Sequence, residues 1–201
     1  MYGRPQIARP PLLQDADAAF IRDATAGLGS REAASKVWFA QAERFLAEGN
    51  LDFAMHRYNQ SWLLDPNNYQ PYWGFGRWML QQDRPDEAIG HFEQARQRID
   101  DPFQLPALLS DAGVAHSYKA AGLTSGAADR LRAFALANEH FSESARLDPS
   151  YAPVWYRWAQ SLHREGKFAE AWDKLKRARS AGARIAPEFT RELERKLPEP
   201  K

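Results

Sequence analysis

Two stretches of the sequence repeat one another. Residues 54–66 read AMHRYNQSWLLDP, and residues 137–149 read ANEHFSESARLDP. Both place an aromatic residue four positions after the alanine, a serine three positions later, and Leu-Asp-Pro at the end. Apolar and small residues at this spacing predict a helix, and the proline predicts its end because proline cannot continue a helix. Each stretch is therefore predicted to be one helix of a repeated unit.

The repeat extends over most of the chain. Weaker copies of the same helix contain Ala88 and Ala171, and a matching first helix precedes each copy. The copy with Ala88 runs on to Asp101-Pro102, which is predicted to close that helix as Asp-Pro closes the others. The first helices carry Trp38, Ala42 and Phe45; Tyr72, Gly76 and Met79; Leu109, Gly113 and His116; and Trp155, Ala159 and Leu162. Equivalent positions are 34 residues apart in three cases: Ala42 and Gly76, Ala54 and Ala88, Ala137 and Ala171. The longer interval of 49 residues from Ala88 to Ala137 predicts insertions in the third unit.

This pattern resembles the tetratricopeptide repeat (TPR) family, whose 34-residue helix-turn-helix units carry aromatic, small and proline positions at these intervals. The resemblance covers residues 35–183. It implies an all-α, right-handed α-solenoid, a superhelix of about four hairpins whose concave face is lined mainly by first helices. Leu109 and His116 stand where aromatic residues are usual, and the fourth copy ends at Ala183 without a proline. These departures bear on the regularity of individual repeats.

The packing behind the pattern follows from residue size. Alanine or glycine at a helix crossing lets two backbones approach closely, and an aromatic ring from the next helix fills the space beside the contact. Tyr58, Phe92 and Phe141 are the predicted rings. Gly49 and Gly166 are predicted to form the turns inside two hairpins, since glycine tolerates positive φ.

The flanking segments are predicted to be caps. Residues 1–13, with three prolines, are expected to be an extended or disordered arm. Residues 14–34 contain a predicted helix, Gln14 to Ala26, interpreted either as a cap over the first hairpin or as a partner-facing arm. Residues 184–201 are predicted to contain a C-terminal capping helix with Phe189, Leu193 and Leu197 on one stripe.

An insertion at residues 122–134 lies in the third repeat. Gly122 and Gly126 predict a loop, and Ser125 is placed to cap a second helix about three turns longer than its counterparts. A loop-rich insertion on a regular scaffold often carries function. A neutral change of helix length is the other interpretation, and the residues do not separate the two.

Composition limits the classes of function. The chain has 27 lysine and arginine residues against 26 aspartate and glutamate residues, so it lacks the cationic excess that nucleic-acid binding requires. It has no cysteine, and no apolar run approaches the roughly 18 residues of a membrane span. The compartment stays open: the chain is periplasmic or envelope-tethered, like a lipoprotein, if a leader has been removed, and otherwise cytoplasmic.

No catalytic, cofactor or metal site is predicted. The five histidines lie in different repeats without compact ligand spacing, and His140 with Glu143 supplies only two ligands. Gly74 and Gly76 lie inside a first helix, where close packing explains them better than a phosphate loop. We therefore expect a protein without enzymatic activity and without a cofactor.

The predicted binding residues lie on the first helices, one turn from the packing stripe. They are Lys36, Phe39, Glu43, Trp73, Arg77, Leu80, Tyr156, Gln160 and His163, with Ser110 and Val114 at the equivalent positions of the third repeat. Aromatic and arginine side chains often dominate interface energies. Trp73 and Tyr156 have a second interpretation, in which they pack against a neighbouring hairpin or a terminal helix. Phe39 and Glu43 replace the Lys and Asn pair with which TPR proteins bind chaperone carboxylates, so that ligand is not expected.

Two functions fit the sequence. The first is a non-enzymatic interaction module, an adaptor or scaffold for a bacterial-looking assembly, that binds a peptide or helix of a protein partner in the groove. The alternative is a structural subunit or self-associating component of a larger complex, for example one of the cell envelope, a hypothesis based on the seven tryptophans. The partner's identity and the oligomeric state are left open by the sequence.

Overall fold

The computed structural model describes residues 10–124 and 126–200. Within these residues, ten helices and no strand are present. Their bounds are α1 Pro11–Leu28, α2 Arg31–Ala47, α3 Leu51–Leu64, α4 Tyr69–Gln81, α5 Pro85–Arg96, α6 Leu105–Gly122, α7 Ala127–Leu147, α8 Ala152–Glu165, α9 Phe168–Ser180 and α10 Pro187–Lys196.

The helices belong to two compact units. Unit 1 ends at Asp100 and contains α1 to α5, and unit 2 begins at Asp101 and contains α6 to α10. The division lies inside the range 35–183 that the sequence predicts as one run of repeats. Each unit contains two hairpins of antiparallel neighbours: α2 with α3 and α4 with α5 in unit 1, and α6 with α7 and α8 with α9 in unit 2.

The crossings inside the hairpins have the predicted combination of small and large residues. A methyl group on Gly76 would overlap the ring of Phe92, and one on Gly113 would lie 2.9 Å from the ring of Phe141. Both rings are buried. Glycine at these positions therefore brings α4 close to α5, and α6 close to α7.

The predicted turns are also present. Gly49 follows α2 with φ of 76°, and Gly166 follows α8 with φ of 87°, a region that glycine enters without steric cost. Asp65 and Asp148 end α3 and α7 directly before a proline. The prediction that Asp101-Pro102 closes α5 is wrong, because α5 ends at Arg96 with a tight turn from the Arg98 amide to the Ala95 carbonyl, 3.1 Å.

The N-terminal helix starts earlier than predicted. It begins at Pro11 rather than Gln14, so residues 11–13 are helical and not extended, because proline suits the first turn of a helix. Residues 1–9 of the predicted arm lie outside the described residues. The C-terminal half of α1 packs on α2 and α3, where Ala24 joins a core of Ala34 and Leu64.

The insertion lengthens both helices of its hairpin. Gly122 is the last residue of α6, and α7 spans 21 residues against 12 to 14 for α3, α5 and α9. The excess is about two turns rather than the predicted three. Ser125, the predicted cap, lies outside the described residues, and Gly126 precedes the helix with φ of 81° and no side-chain cap.

Candidate binding surface

In unit 1, the two first helices place their predicted binding residues next to one another. Helices α2 and α4 are in contact, and Phe39 and Glu43 on α2 are equivalent to Trp73 and Arg77 on α4 in the repeat. All four side chains are partly exposed. Together with Lys36 on α2 and Leu80 on α4, they make up the six predicted binding residues of these two helices. We call this surface the α2–α4 face: Lys36, Phe39, Glu43, Trp73, Arg77 and Leu80.

An ion pair joins the two helices at the centre of this face. Nη1 of Arg77 contacts Oε2 of Glu43, and the buried Tyr58 hydroxyl donates a hydrogen bond to Oε1 of the same carboxylate. The side chains of Arg77 and Glu43 retain 38% and 28% of their exposure. Burial, and then the charge of Glu43, raise the pKa of Tyr58 far above its usual value, so its hydroxyl stays a donor.

The aromatic side chains of the face rest on rings of the core. The Phe39 ring lies 5.9 Å from that of Tyr58, and the Trp73 ring is stacked on that of Tyr69 at 6.5 Å, both between centroids. Lys36 is exposed, and Leu80 is partly buried. Because each ring contacts a buried ring and remains partly exposed, the face offers supported apolar contacts beside an ion pair.

In unit 2, two of the three predicted residues on α8 contact α10 and remain partly exposed. The Tyr156 ring meets the Phe189 ring edge-on at 5.5 Å, and its hydroxyl accepts a hydrogen bond from the Ala186 amide at 3.3 Å. His163 lies between Phe168 and Phe189, at 5.5 and 5.6 Å. Gln160 is partly exposed. Tyr156 makes the contact with a terminal helix that its second interpretation expects, and its side chain is partly exposed.

Burial alters the chemistry of His163. Its Nε2 is buried and has no hydrogen-bond partner among the described residues. Loss of solvent lowers the pKa of His163 below its usual value; Lys196 and Arg164 act in the same direction, and Glu192 opposes them. At neutral pH the imidazole that lies against α10 is therefore uncharged.

Sequence reasoning missed a second polar link between first helices. Nη1 of Arg157 on α8 lies 2.9 Å from Oδ1 of Asp111 and 3.1 Å from Oγ of Ser110, both on α6. Ser110, expected near the surface, is buried, and Val114 is partly buried. The sequence could have indicated this link, since Arg157 and Asp111 occupy equivalent repeat positions one residue beyond Tyr156 and Ser110 and carry opposite charges.

The described residues contain no group of three or more metal-ligating side chains. His116 and His140 stack at 5.2 Å between ring centroids, which brings two such ligands together. Across residues 10–124 and 126–200, no helix is both long and apolar enough to span a membrane.

Comparison with solved structures identifies the fold. The chain is similar to TTC0263, a thermophilic TPR protein of Thermus thermophilus, with TM-score 0.66 and 15% identity over 81% of this chain and 79% of that one. It is also similar to PilW, a type IV pilus biogenesis factor, with TM-score 0.67 and 18% identity over 92% and 78% of the two chains. The chain has the tetratricopeptide-repeat fold.

Pseudomonas aeruginosa PilF shares this TPR fold as well, with TM-score 0.60 and 19% identity over 90% of this chain and 84% of that one. No protein-family model matches the sequence, and no curated protein matches it significantly. The prediction of an all-α TPR solenoid is confirmed. Solved TPR structures at such low identity establish the fold, and they support a protein-interaction scaffold in general terms.

Proposed function

We propose that this TPR protein is a non-enzymatic interaction module that binds a peptide or short helix of a protein partner on the α2–α4 face. The observation that carries the proposal is the pair of partly exposed rings, Phe39 and Trp73, each one helical turn before a member of the Glu43–Arg77 ion pair. Supported aromatic rings lose little conformational entropy on binding and supply much of the energy at interfaces.

The charges of the face favour a partner of mixed character. Glu43 and Arg77 pair with one another, so neither presents an isolated charge to a ligand. The partner we expect therefore contributes apolar side chains to Phe39 and Trp73 and a carboxylate to the exposed Lys36. A purely anionic tail would meet the Glu43 carboxylate at the centre of the face.

The test is quantitative affinity capture with matched variants. We expect a partner that wild type captures to be lost with Trp73→Ala and retained with Phe53→Ala, an aromatic truncation on α3 at a side chain that is 55% exposed. A synthetic segment of that partner should then bind the purified chain, and Trp73→Ala should weaken its binding at least tenfold, or about 1.4 kcal/mol. Equal capture by both variants would contradict the proposal.

A second candidate, a self-associating structural subunit, is favoured by exposed apolar side chains outside this face. Leu12 on α1 is 79% exposed, and Phe103 is 89% exposed. Light scattering after gel filtration distinguishes the two: the interaction module is expected to be monomeric at micromolar concentration, and the subunit to form a defined oligomer that Leu12→Ser or Phe103→Ser disrupts.

A further inference from the structure

Helix α10 covers a preformed apolar surface on the last hairpin. Phe189 and Leu193 of α10 are buried in one cluster with Leu162 of α8 and with Trp172 and Leu175 of α9. Leu197, one turn later, packs against the same cluster. These three side chains are four residues apart, so a single stripe of the helix makes the contact.

Within the described part of the chain, few polar contacts accompany this stripe. The Trp172 indole donates a hydrogen bond to the Leu197 carbonyl at 2.9 Å, which satisfies a carbonyl at the end of α10. At the other end, the Ala186 amide reaches the Tyr156 hydroxyl at 3.3 Å. The Arg179–Glu199 ion pair is exposed at 2.5 Å, and exposed pairs contribute little.

The length and composition of α10 are those of a helix that can leave this surface. The helix has ten residues, of which six are charged, and only Phe189 and Leu193 are buried. A helix this short is marginal on its own in water. A connection that contains Gly182 at positive φ separates it from α9, and among the described helices it packs against α8 and α9.

We propose that α10 is a displaceable latch, and that the surface of α8 and α9 beneath it is a docking site for an amphipathic helix of a partner. The apolar floor is continuous under the stripe, and Tyr156 and Trp172 each offer a polar atom to the backbone at one end of the helix. This inference goes beyond the α2–α4 face and does not depend on it.

The chemistry of the partner follows from the helix already seated there. It carries an aromatic residue and two leucines at intervals of four, places glutamate in its first turn, and has arginine and lysine in its last turn. These charges complement the helix dipole. A carboxylate just beyond its end would meet Arg179, as Glu199 does. A partner helix with this pattern competes directly with α10.

The experiment uses the full chain and a synthetic probe, a fluorescein-labelled peptide of residues 184–200. The double variant Phe189→Ala, Leu193→Ala weakens the latch without altering the surface of α8 and α9. We expect this variant to bind the peptide at least tenfold more tightly than wild type does, measured by fluorescence anisotropy. The matched control Glu194→Ala, Arg195→Ala changes exposed residues of α10 and should behave like wild type.

Two results would overturn the proposal. One is seen with the double variant, provided that it keeps its helical circular dichroism. It would bind the peptide no more tightly than wild type does, or it would bind a peptide carrying Leu193→Asp as tightly as the unaltered peptide. The other comes from hydrogen exchange of wild type, which requires no variant. A latch demands that amides of α10 exchange at least tenfold faster than those of α8 and α9, and equal rates would show that α10 opens only when the hairpin unfolds.

Discussion

The first helices of unit 1 and of unit 2 use the same repeat position in different ways. In unit 1, Phe39 and Trp73 remain partly exposed beside an ion pair that joins α2 to α4. In unit 2, Tyr156 at the equivalent position of α8 lies against Phe189 of α10. The repeat therefore fixes where a side chain projects, and in unit 2 a terminal helix supplies one of the rings that it packs against.

The largest expected effect is a difference in the free energy of unfolding between a substitution in the core of the last hairpin and one in α10. Leu175 and Leu193 are both fully buried, one in α9 and one in α10. We expect Leu175→Ala to lower the free energy of unfolding of unit 2 by about 2 to 5 kcal/mol. Leu193→Ala should cost less, because detachment of α10 limits the loss. Urea denaturation of both variants checks this, and equal losses would argue against a latch.

The next effect tests the close crossing within unit 1. Gly76→Ala forces a methyl group against the buried Phe92 ring, and we expect a loss of about 1 to 3 kcal/mol in the free energy of unfolding. Gly90 lies inside α5 with open space around it, so Gly90→Ala should stabilise by up to about 1 kcal/mol. Thermal denaturation compares the pair, and the same sign for both would contradict the packing described here.

A smaller effect compares two tyrosine hydroxyls. The Tyr58 hydroxyl is buried and bonded to the Glu43 carboxylate, so Tyr58→Phe should cost about 1 to 3 kcal/mol in the free energy of unfolding. The Tyr156 hydroxyl accepts one long hydrogen bond at an exposed site. Tyr156→Phe is therefore expected to cost less than about 0.5 kcal/mol. Chemical denaturation of the two variants should preserve this order.

The smallest effect concerns pH and the latch. Because burial lowers the pKa of His163, the folded state binds fewer protons than the unfolded state just below pH 6.5. The packing of α10 should thus be most stable above that pH and should weaken as the pH falls. Glu192 and Lys196 of α10 and Arg164 of α8 adjust the size of the effect.

Hydrogen exchange of α10 at pH 7.5 and 5.5, corrected for intrinsic rates, measures this weakening. His163→Gln removes the titrating group, so its α10 protection should change less between the two pH values than that of wild type. A wild-type chain whose α10 protection is unchanged, or increases, at the lower pH would contradict the assignment.

Much of the fold could be predicted because TPR packing is local. The spacing of Ala54, Tyr58 and Pro66 is enough to place a helix and its end, and Gly76 specifies the crossing that Phe92 fills. The end of α5 at Arg96 could not be predicted from Asp101-Pro102, because hydrogen bonds of the Arg98 amide and side chain close that helix first.

The candidate site was less accessible to sequence analysis. The positions of Glu43 and Arg77 on first helices follow from the period, but their pairing depends on how closely α2 approaches α4. Tyr156 shows the same limit, since its cover is α10, a helix that lies outside the repeat. The apolar stripe of Phe189 and Leu193 indicated a helix that packs on the chain, and only the structure identifies what it packs against.

The most direct test of the account is a hydrogen-exchange footprint of the full chain bound to a partner segment identified by capture. We predict new protection in α2 and α4 around Phe39 and Trp73, with α8 unchanged while α10 remains in place. Protection confined to α8 and α9, or to the exposed ends of α1, with α2 and α4 unaffected would contradict the claim that the α2–α4 face binds the partner.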